Sequence, residues 1–258
     1  MTWWTKLFKI KENESVDFVP PERWVDLHSH ILPGVDDGAK TLSDSLSMIK
    51  YASEIGVTHI VATPHFSDLF PTIPDNRDAA FKLLKEAVSE SGINVEIICG
   101  WEVSYTDVHI KRVLDGEDLS IAGSKNYMLI ELPNGINKSA VIEGFFSLMI
   151  EGTKIVLAHP ERNSLIQQDI DLVKELRFRG VMIQVDAESI VGVHGQSAKK
   201  IAIELFRRDE VDALSSDAHT LSGYKNYKKA CEKICNNFGQ EIINKILNKV
   251  PVSIANIK

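Results

Sequence analysis

Two histidines, His28 and His30, close the short apolar run Trp24-Val25-Asp26-Leu27. Successive side chains of a strand alternate between faces, so residues i and i+2 point the same way and both imidazoles face one side. Two imidazoles on one face at a strand end can close on a single metal ion. Packing them as core residues gains little, because every buried ring nitrogen then needs its own hydrogen-bond partner. His and carboxylate residues also end the later apolar runs. They stand at Asp36-Asp37, at Ala62-Thr63-Pro64-His65, at Gly100-Trp101-Glu102 and at Glu131. Two more groups are Ala158-His159-Pro160-Glu161-Arg162 and Ser216-Asp217-Ala218-His219, with Asp186 and Glu188 as weaker members of the set. Taken singly, each has a plain structural role, such as a hydrogen-bonded His or a carboxylate at a helix start. Several carboxylates converging on one pocket would repel one another strongly, and bound cations remove that conflict. The pattern therefore predicts a metal site.

The elements that must position these residues alternate along the chain. Candidate strands are Trp24–His28, Thr58–Thr63, Asn94–Gly100, Tyr127–Glu131, Lys154–His159, Val181–Asp186 and Val211–Ser215. Between them lie helical patterns, the first carried by Leu42, Leu46, Ile49, Ala52 and Ile55 and ended by Gly56. Others run through Arg77–Ser89, Ser139–Glu151, Gln167–Arg179 and Gln196–Arg208, with two more near Tyr227–Asn236 and Gln240–Asn248 to cover the end. Repeated βα units imply a parallel sheet, and seven in a chain of 258 residues suggest an α/β barrel rather than an open sheet. In such a barrel the C-terminal strand ends build the active site, and that is where the His and carboxylate residues fall. Pro20-Pro21 marks the boundary between an N-terminal arm, residues 1–22, and a single domain, residues 23–258.

Composition narrows the partners. A net charge of −7 argues against a nucleic-acid backbone, whose binding is driven by Lys and Arg. It leaves room for a phosphorylated substrate if metal ions supply local positive charge. The odd cysteine count, Cys99, Cys231 and Cys235, suits a reducing cytoplasm. No cysteine has Arg six positions later, so a thiolate-and-arginine phosphatase loop is absent. No run approaches the roughly 20 apolar residues of a membrane span. The start, Trp3-Trp4-Thr5-Lys6-Leu7-Phe8-Lys9-Ile10-Lys11, is too short and too broken by lysines for a signal peptide. It is expected to pack against the domain, with peripheral contact to a membrane as the other use of its aromatics and lysines.

These segments together resemble the PHP (polymerase and histidinol phosphatase) superfamily, and within it the bacterial capsule-type protein-tyrosine phosphatases. The block from Asp26 through His28-Ser29-His30 to Asp36-Asp37-Gly38 carries most of the likeness. The runs ending at His65, Glu102, Arg162 and His219, and Gln184-Val185-Asp186-Ala187-Glu188-Ser189, extend it over residues 24–220. The resemblance implies a distorted seven-stranded (β/α)7 TIM-like barrel holding three divalent metal ions, most often manganese, with iron or zinc also suited to a His and carboxylate donor set. It assigns His28, His30, Glu102 and Asp217 to a first ion, and Glu102, Glu131 and His159 to a second. Asp37, His65 and His219 go to a third. It further implies that a metal-activated hydroxide attacks phosphorus, that Glu102 and Asp217 sit at the reacting centre, and that Arg162 holds phosphoryl oxygens. An aryl phosphate asks less of a general acid than an alkyl one does. The partner implied is a tyrosine-phosphorylated protein, a bacterial kinase that controls capsule or exopolysaccharide synthesis, met in the cytoplasm near the membrane.

The chain departs from that pattern in one place. After His219 the branch usually has Asn and then Arg, where this sequence reads Thr220-Leu221-Ser222-Gly223-Tyr224-Lys225. Lys225 is the candidate replacement, as a point charge without the bidentate fork of Arg. His194, where an apolar or aromatic residue is expected, is a second candidate for lining the substrate pocket. His59 and His109 read as structural or exposed. Competing functions are a histidinol-phosphate or sugar-phosphate phosphatase and a TatD-like nuclease, which would leave Asp37, His65 and His219 unexplained. A binding protein on a retired enzyme scaffold should have lost ligands, and here all nine positions are filled.

Overall fold

The computed structural model describes residues 17–70, 73–121 and 127–257. Residues 1–16, with the expectation of membrane contact through the arm, lie outside the described residues. The first half of the chain runs β1 (Val25–Ser29), α1 (Leu42–Glu54), β2 (His59–Ala62), β3 (His65–Phe66), α2 (Pro74–Ser91), β4 (Glu96–Cys99), β5 (Glu102–Ser104), α3 (Asp107–Leu114) and β6 (Tyr127–Glu131). The second half runs α4 (Lys138–Ile150), β7 (Lys154–Ala158), α5 (Ser164–Gln168), α6 (Asp171–Phe178), β8 (Met182–Asp186), α7 (Ala187–Val191), α8 (Gly195–Arg207), β9 (Ala213–Ser215), α9 (Leu221–Phe238), α10 (Gln240–Asn244) and α11 (Val250–Ile254).

The strands pair in parallel, in a three-stranded sheet of order β1-β2-β4 and a six-stranded sheet of order β3-β5-β6-β7-β8-β9. This is an α/β fold of parallel strands, and it differs from the expected seven-strand count in an informative way. Two of the expected strands, Thr58–Thr63 and Asn94–Gly100, are each followed after a break by a further short strand, β3 and β5. After β2 comes Pro64, which has no N–H to give to a ladder. After β4 comes Gly100, where a Cβ would press to 3.3 Å from Val61 and 3.4 Å from Ile121. The chain crosses both breaks in step, with Gly100 N–H donating to Ala62 O (2.8 Å) and Glu102 N–H to Pro64 O (3.1 Å). At the other edge, Asp217 N–H donates to His28 O (2.9 Å) and His30 N–H to Ala218 O (3.0 Å), so the segment after β9 is tied to β1.

The helices follow the apolar periodicity. In α1 Thr41 and Asp44 form a capping box, and Gly56 follows the helix with φ +105°. The pattern over Gln167–Arg179 is two helices rather than one, α5 and α6, because the backbone leaves helical geometry at Asp169. The terminal pattern over Gln240–Asn248 is α10, a π-helical turn at Lys245–Lys249 and then α11. Helices α3 and α7, too short for a periodic signature, were not anticipated. Most buried apolar side chains form one layer between strands and helices. A second cluster joins Val25, Leu27, Val61, Leu129, Val156 and Ala213 from five different strands to Ile254 of α11.

Candidate metal centre

The site is assembled where the parallel strands end. In β1, Val25 and Leu27 pack into the second apolar cluster, while His28 and His30 face each other with their Nε2 atoms 3.2 Å apart. A strict period of two would send these two pairs to opposite faces. The pairing of β1 with β2 shifts register between Asp26 and Ser29, and this bulge lets Leu27 and His28 both face the interior. Asp26 is left facing outward, where its carboxylate accepts from the Ser216 N–H (2.9 Å) and hydroxyl (2.6 Å).

Around the histidine pair the nitrogens and oxygens converge. Asp217 Oδ1 is 3.2 Å from Nε2 of both His28 and His30, and Glu102 Oε2 is 3.4 Å from each. Donors roughly 2.1 Å from a common ion in tetrahedral or octahedral geometry stand about 3.0–3.4 Å from one another. Glu102 continues the cluster, with Oε1 2.8 Å from His159 Nε2 and Oε2 2.7 Å from His65 Nδ1. Asp37 Oδ1 lies 3.4 Å from His65 Nε2 and 3.2 Å from His219 Nε2. Four overlapping groups of potential donors result: His28, His30 and Asp217; His28, Glu102 and His159; His65, Glu102 and Glu131; and His30, Asp37, His65 and His219. All nine anticipated metal residues are among them. The groups overlap the expected sets without reproducing them: Glu131 gathers with His65 and Glu102, His28 also joins Glu102 and His159, and His30 also joins Asp37, His65 and His219.

Despite the crowding, Glu102 Oε2 and Asp217 Oδ1 are buried without a hydrogen-bond donor. Such atoms are costly to leave bare, and imidazole nitrogens 2.7–3.4 Å away that form no well-directed hydrogen bond to them fit a shared cation. Charge tells the same story. Burial disfavours a charged imidazole at His28, yet Asp217 and Glu102 outweigh it and push the group up to about 9. Burial likewise opposes ionisation of Glu102 and Asp217, but the surrounding histidines hold both well below the usual carboxylate range. Protons on imidazoles thus play the part that cations would play in the same pocket.

Supporting contacts fix the rings. Asp36 Oδ2 is 2.7 Å from His30 Nδ1 and also accepts the His65 N–H (3.1 Å), and Gln184 Oε1 is 3.1 Å from His28 Nδ1. Sequence reasoning singled out Asp37 as a ligand and gave Asp36 and Gln184 no role. The signal for Asp36 was its place beside Asp37, whereas Gln184 carries no chemical signature of its own. Two donors sit on left-handed backbone, His159 at φ +30° and Asp217 at φ +45°. Such geometry is strained for residues other than glycine and concentrates at functional sites.

Of the three residues expected to bind substrate, two lie at the rim. Arg162, in the 3-10 turn Pro160–Arg162, places Nη1 2.6 Å from Asp217 Oδ2 and 3.5 Å from Asp186 Oδ2. His194 Nε2 is 2.6 Å from the same Asp186 oxygen. Beside them a small hollow of about 100 Å³ is lined by Glu131, Asn134, His159, Arg162 and Asn163. Lys225 is exposed in the second turn of α9 and makes no ion pair among the described residues, so it is not gathered into the cluster. His109 is buried with Nδ1 2.7 Å from Ser104 O, and His59 pairs with Thr58 and Glu96.

Comparison with known proteins agrees with the geometry. Residues 24–256 match the family model for capsular polysaccharide synthesis, CpsB/CapC. The chain is 32% identical to CapC of Staphylococcus aureus over 201 residues, 77% of this chain and 78% of that one. It is 30% identical to the tyrosine-protein phosphatase YwqE of Bacillus subtilis over 222 residues, 84% and 86% of the two chains. Among solved structures it superposes with a TM-score of 0.76, at 26% identity, over 90% of its length and 91% of the other chain. That match comes from the crystal structures of YwqE from B. subtilis and CpsB from Streptococcus pneumoniae, described as metal-dependent tyrosine phosphatases. With the family model spanning residues 24–256 of 258, this chain belongs to the CpsB/CapC family of capsular polysaccharide synthesis proteins.

Proposed function

We propose that this protein is a metal-dependent phosphatase that hydrolyses phosphotyrosine on proteins, its partner being a bacterial tyrosine kinase that regulates capsule or exopolysaccharide synthesis in the cytoplasm. The observation that carries the reading is the 3.2–3.4 Å spacing of His28, His30, Glu102 and Asp217 around carboxylate oxygens that lack a donor. The family relationship supports the substrate class, since YwqE is a tyrosine-protein phosphatase.

Three divalent ions, manganese by the family resemblance, would be held by the nine residues. By that resemblance His28, His30, Glu102 and Asp217 would hold the first, Glu102, Glu131 and His159 the second, and Asp37, His65 and His219 the third, with Glu131 also gathered beside His65. Bound there, they supply Lewis acidity and lower the pKa of coordinated water, and three of them outweigh the four carboxylates. The protein's own part is positional. Asp36 and Gln184 fix the ring orientations of His30 and His28. Arg162 is anchored on Asp217 yet about one-third exposed, so its guanidinium can receive phosphoryl oxygens at the rim. The frame is read as one distorted seven-stranded barrel in a single domain, β2 with β3 and β4 with β5 each counting as one interrupted strand. The ties between β1 and the segment after β9, and the apolar cluster drawn from five strands, support that closure.

The decisive experiment is hydrolysis of a phosphopeptide panel by metal-loaded protein, with His30→Ala as control. Phosphotyrosine peptides should be turned over, chelation should abolish the activity, and the variant should lose metal and activity together. Equal or better turnover of phosphoserine peptides or a sugar phosphate would sink the reading.

A further inference from the structure

Outside the donor cluster, one buried carboxylate joins two partly exposed cationic groups. Asp186, the last residue of β8, is fully buried. Its Oδ1 accepts the Glu188 N–H (2.7 Å), and its own N–H donates to Glu161 Oε1 (2.9 Å), so its orientation is fixed. Its Oδ2 is left for side chains: His194 Nε2 at 2.6 Å and Arg162 Nη1 at 3.5 Å. The two exposures are similar, 27% for His194 and 32% for Arg162. Both therefore reach solvent on the same rim as the proposed phosphate site.

Resting on the phosphatase reading, we propose that Asp186 and His194 form a proton-donating pair. In it the His194 Nδ1–H protonates the phenolate that leaves phosphorus while Arg162, on the same carboxylate, holds the phosphoryl group. Hydrogen bonding of Nε2 to a buried carboxylate fixes the ring and leaves Nδ1 without a partner among the described residues. As the P–O bond breaks, its electron pair goes to the phenolic oxygen, which takes the Nδ1 proton. The ring is left neutral on Asp186. Water adds to phosphorus in the same turnover, and His194 recovers its proton from solvent through its exposed edge. Phenols titrate near 10, so the departing oxygen ends protonated at neutral pH.

The charges facing His194 come from three elements: Asp186 at the end of β8, Glu188 in α7 and Arg162 in the 3-10 turn after β7, with Glu161 behind Asp186. Partial burial, the nearby Arg162 and its place at the N-terminus of α8 disfavour the imidazolium. The hydrogen bond to Asp186 prevails and raises the group above the ordinary histidine range. Glu188 assists at 3.8 Å and is itself held by Asn226 of α9 (2.7 Å).

The test compares wild type with His194→Gln and Asp186→Asn on phenyl phosphate, whose phenolate is a poor leaving group, and on p-nitrophenyl phosphate, whose phenolate leaves unaided. Loss of a general acid should lower kcat of His194→Gln about tenfold or more on phenyl phosphate and less than about threefold on the nitro ester. Metal content should be unchanged. The alkaline limb of the kcat–pH profile should vanish in His194→Gln and move to lower pH in Asp186→Asn. Equal losses on both esters, or an alkaline limb that survives in His194→Gln, overturn the proton-donor role alone. Wild-type protein that turns over neither ester overturns the phosphatase reading and this one with it.

Discussion

At the scale of single residues, the site depends on a close approach that only glycine permits. A Cβ on Gly38 would overlap the carbonyl oxygen of His30, which already accepts the Ala39 N–H at 3.0 Å. Gly38 N–H also donates to Asp36 Oδ1 (2.9 Å), so the same loop sets the carboxylate that orients His30. Gly38→Ala should therefore displace His30 without unfolding the protein. Metal affinity is expected to fall roughly 10–100-fold, as for the loss of a supporting contact, with an unchanged circular dichroism spectrum. Titration with manganese measures this, and unaltered affinity would contradict the role given to Gly38. Cys99 gives a second prediction, one independent of metal. Burial pushes its thiol up to about 11. Only the thiolate reacts, so at pH 8 labelling by a disulfide reagent should be about 100-fold slower than for an ordinary cysteine, and should accelerate as pH rises. Rapid labelling at pH 8 would show the thiol to be more open than its surroundings indicate.

At the scale of elements, α9 locks the first and last strands together behind the site. Trp24 Nε1–H donates to the Tyr227 hydroxyl (2.9 Å), which donates in turn to Leu214 O in β9 (2.8 Å). Tyr224 donates to the Ser29 hydroxyl (3.0 Å), and Gly223 lets the helix lie against Ala218, where a Cβ would come within 2.8 Å. Tyr227→Phe leaves both a buried indole N–H and a buried carbonyl without partners. It should cost about 1–3 kcal/mol, seen as a lower urea midpoint at unchanged m-value. Because Tyr227 makes no contact with the donor atoms, metal stoichiometry should hold. A stability loss accompanied by loss of metal would mean that the lock and the site are one unit.

For the whole molecule, nine donor residues come from β1, β3, β5, β6 and the segments after β1, β7 and β9, so the site draws on nearly every unit of the fold. Ions bound there tie those units together and bind the folded state alone, which stabilises it by mass action. Chelation should lower Tm by roughly 5–15 °C, given about 3–4 kcal/mol of linkage and about 2–4 °C per kcal/mol at this size. Re-addition of manganese should restore it. A Tm indifferent to chelator would argue that the donors do not hold metal in solution.

The local sequence determined which residues could do the chemistry. Imidazoles and carboxylates at the ends of β-branched runs are visible without coordinates, because donor chemistry and strand propensity are both properties of short segments. It also determined the βα alternation, and helix α1 was legible down to its flanking Gly56. Only the tertiary structure decided how those donors share space. The bulge in β1 that turns His28 and Leu27 to one face depends on pairing with β2, and no period of two contains it. The close approach at Gly100 depends on Val61 of β2 and Ile121 packed against it. Asp36 on His30, Gln184 on His28 and Asp186 between Arg162 and His194 are contacts across 6 to 156 residues of chain. A sequence pattern records what each residue can offer; which of its atoms meet is set by strands folded side by side.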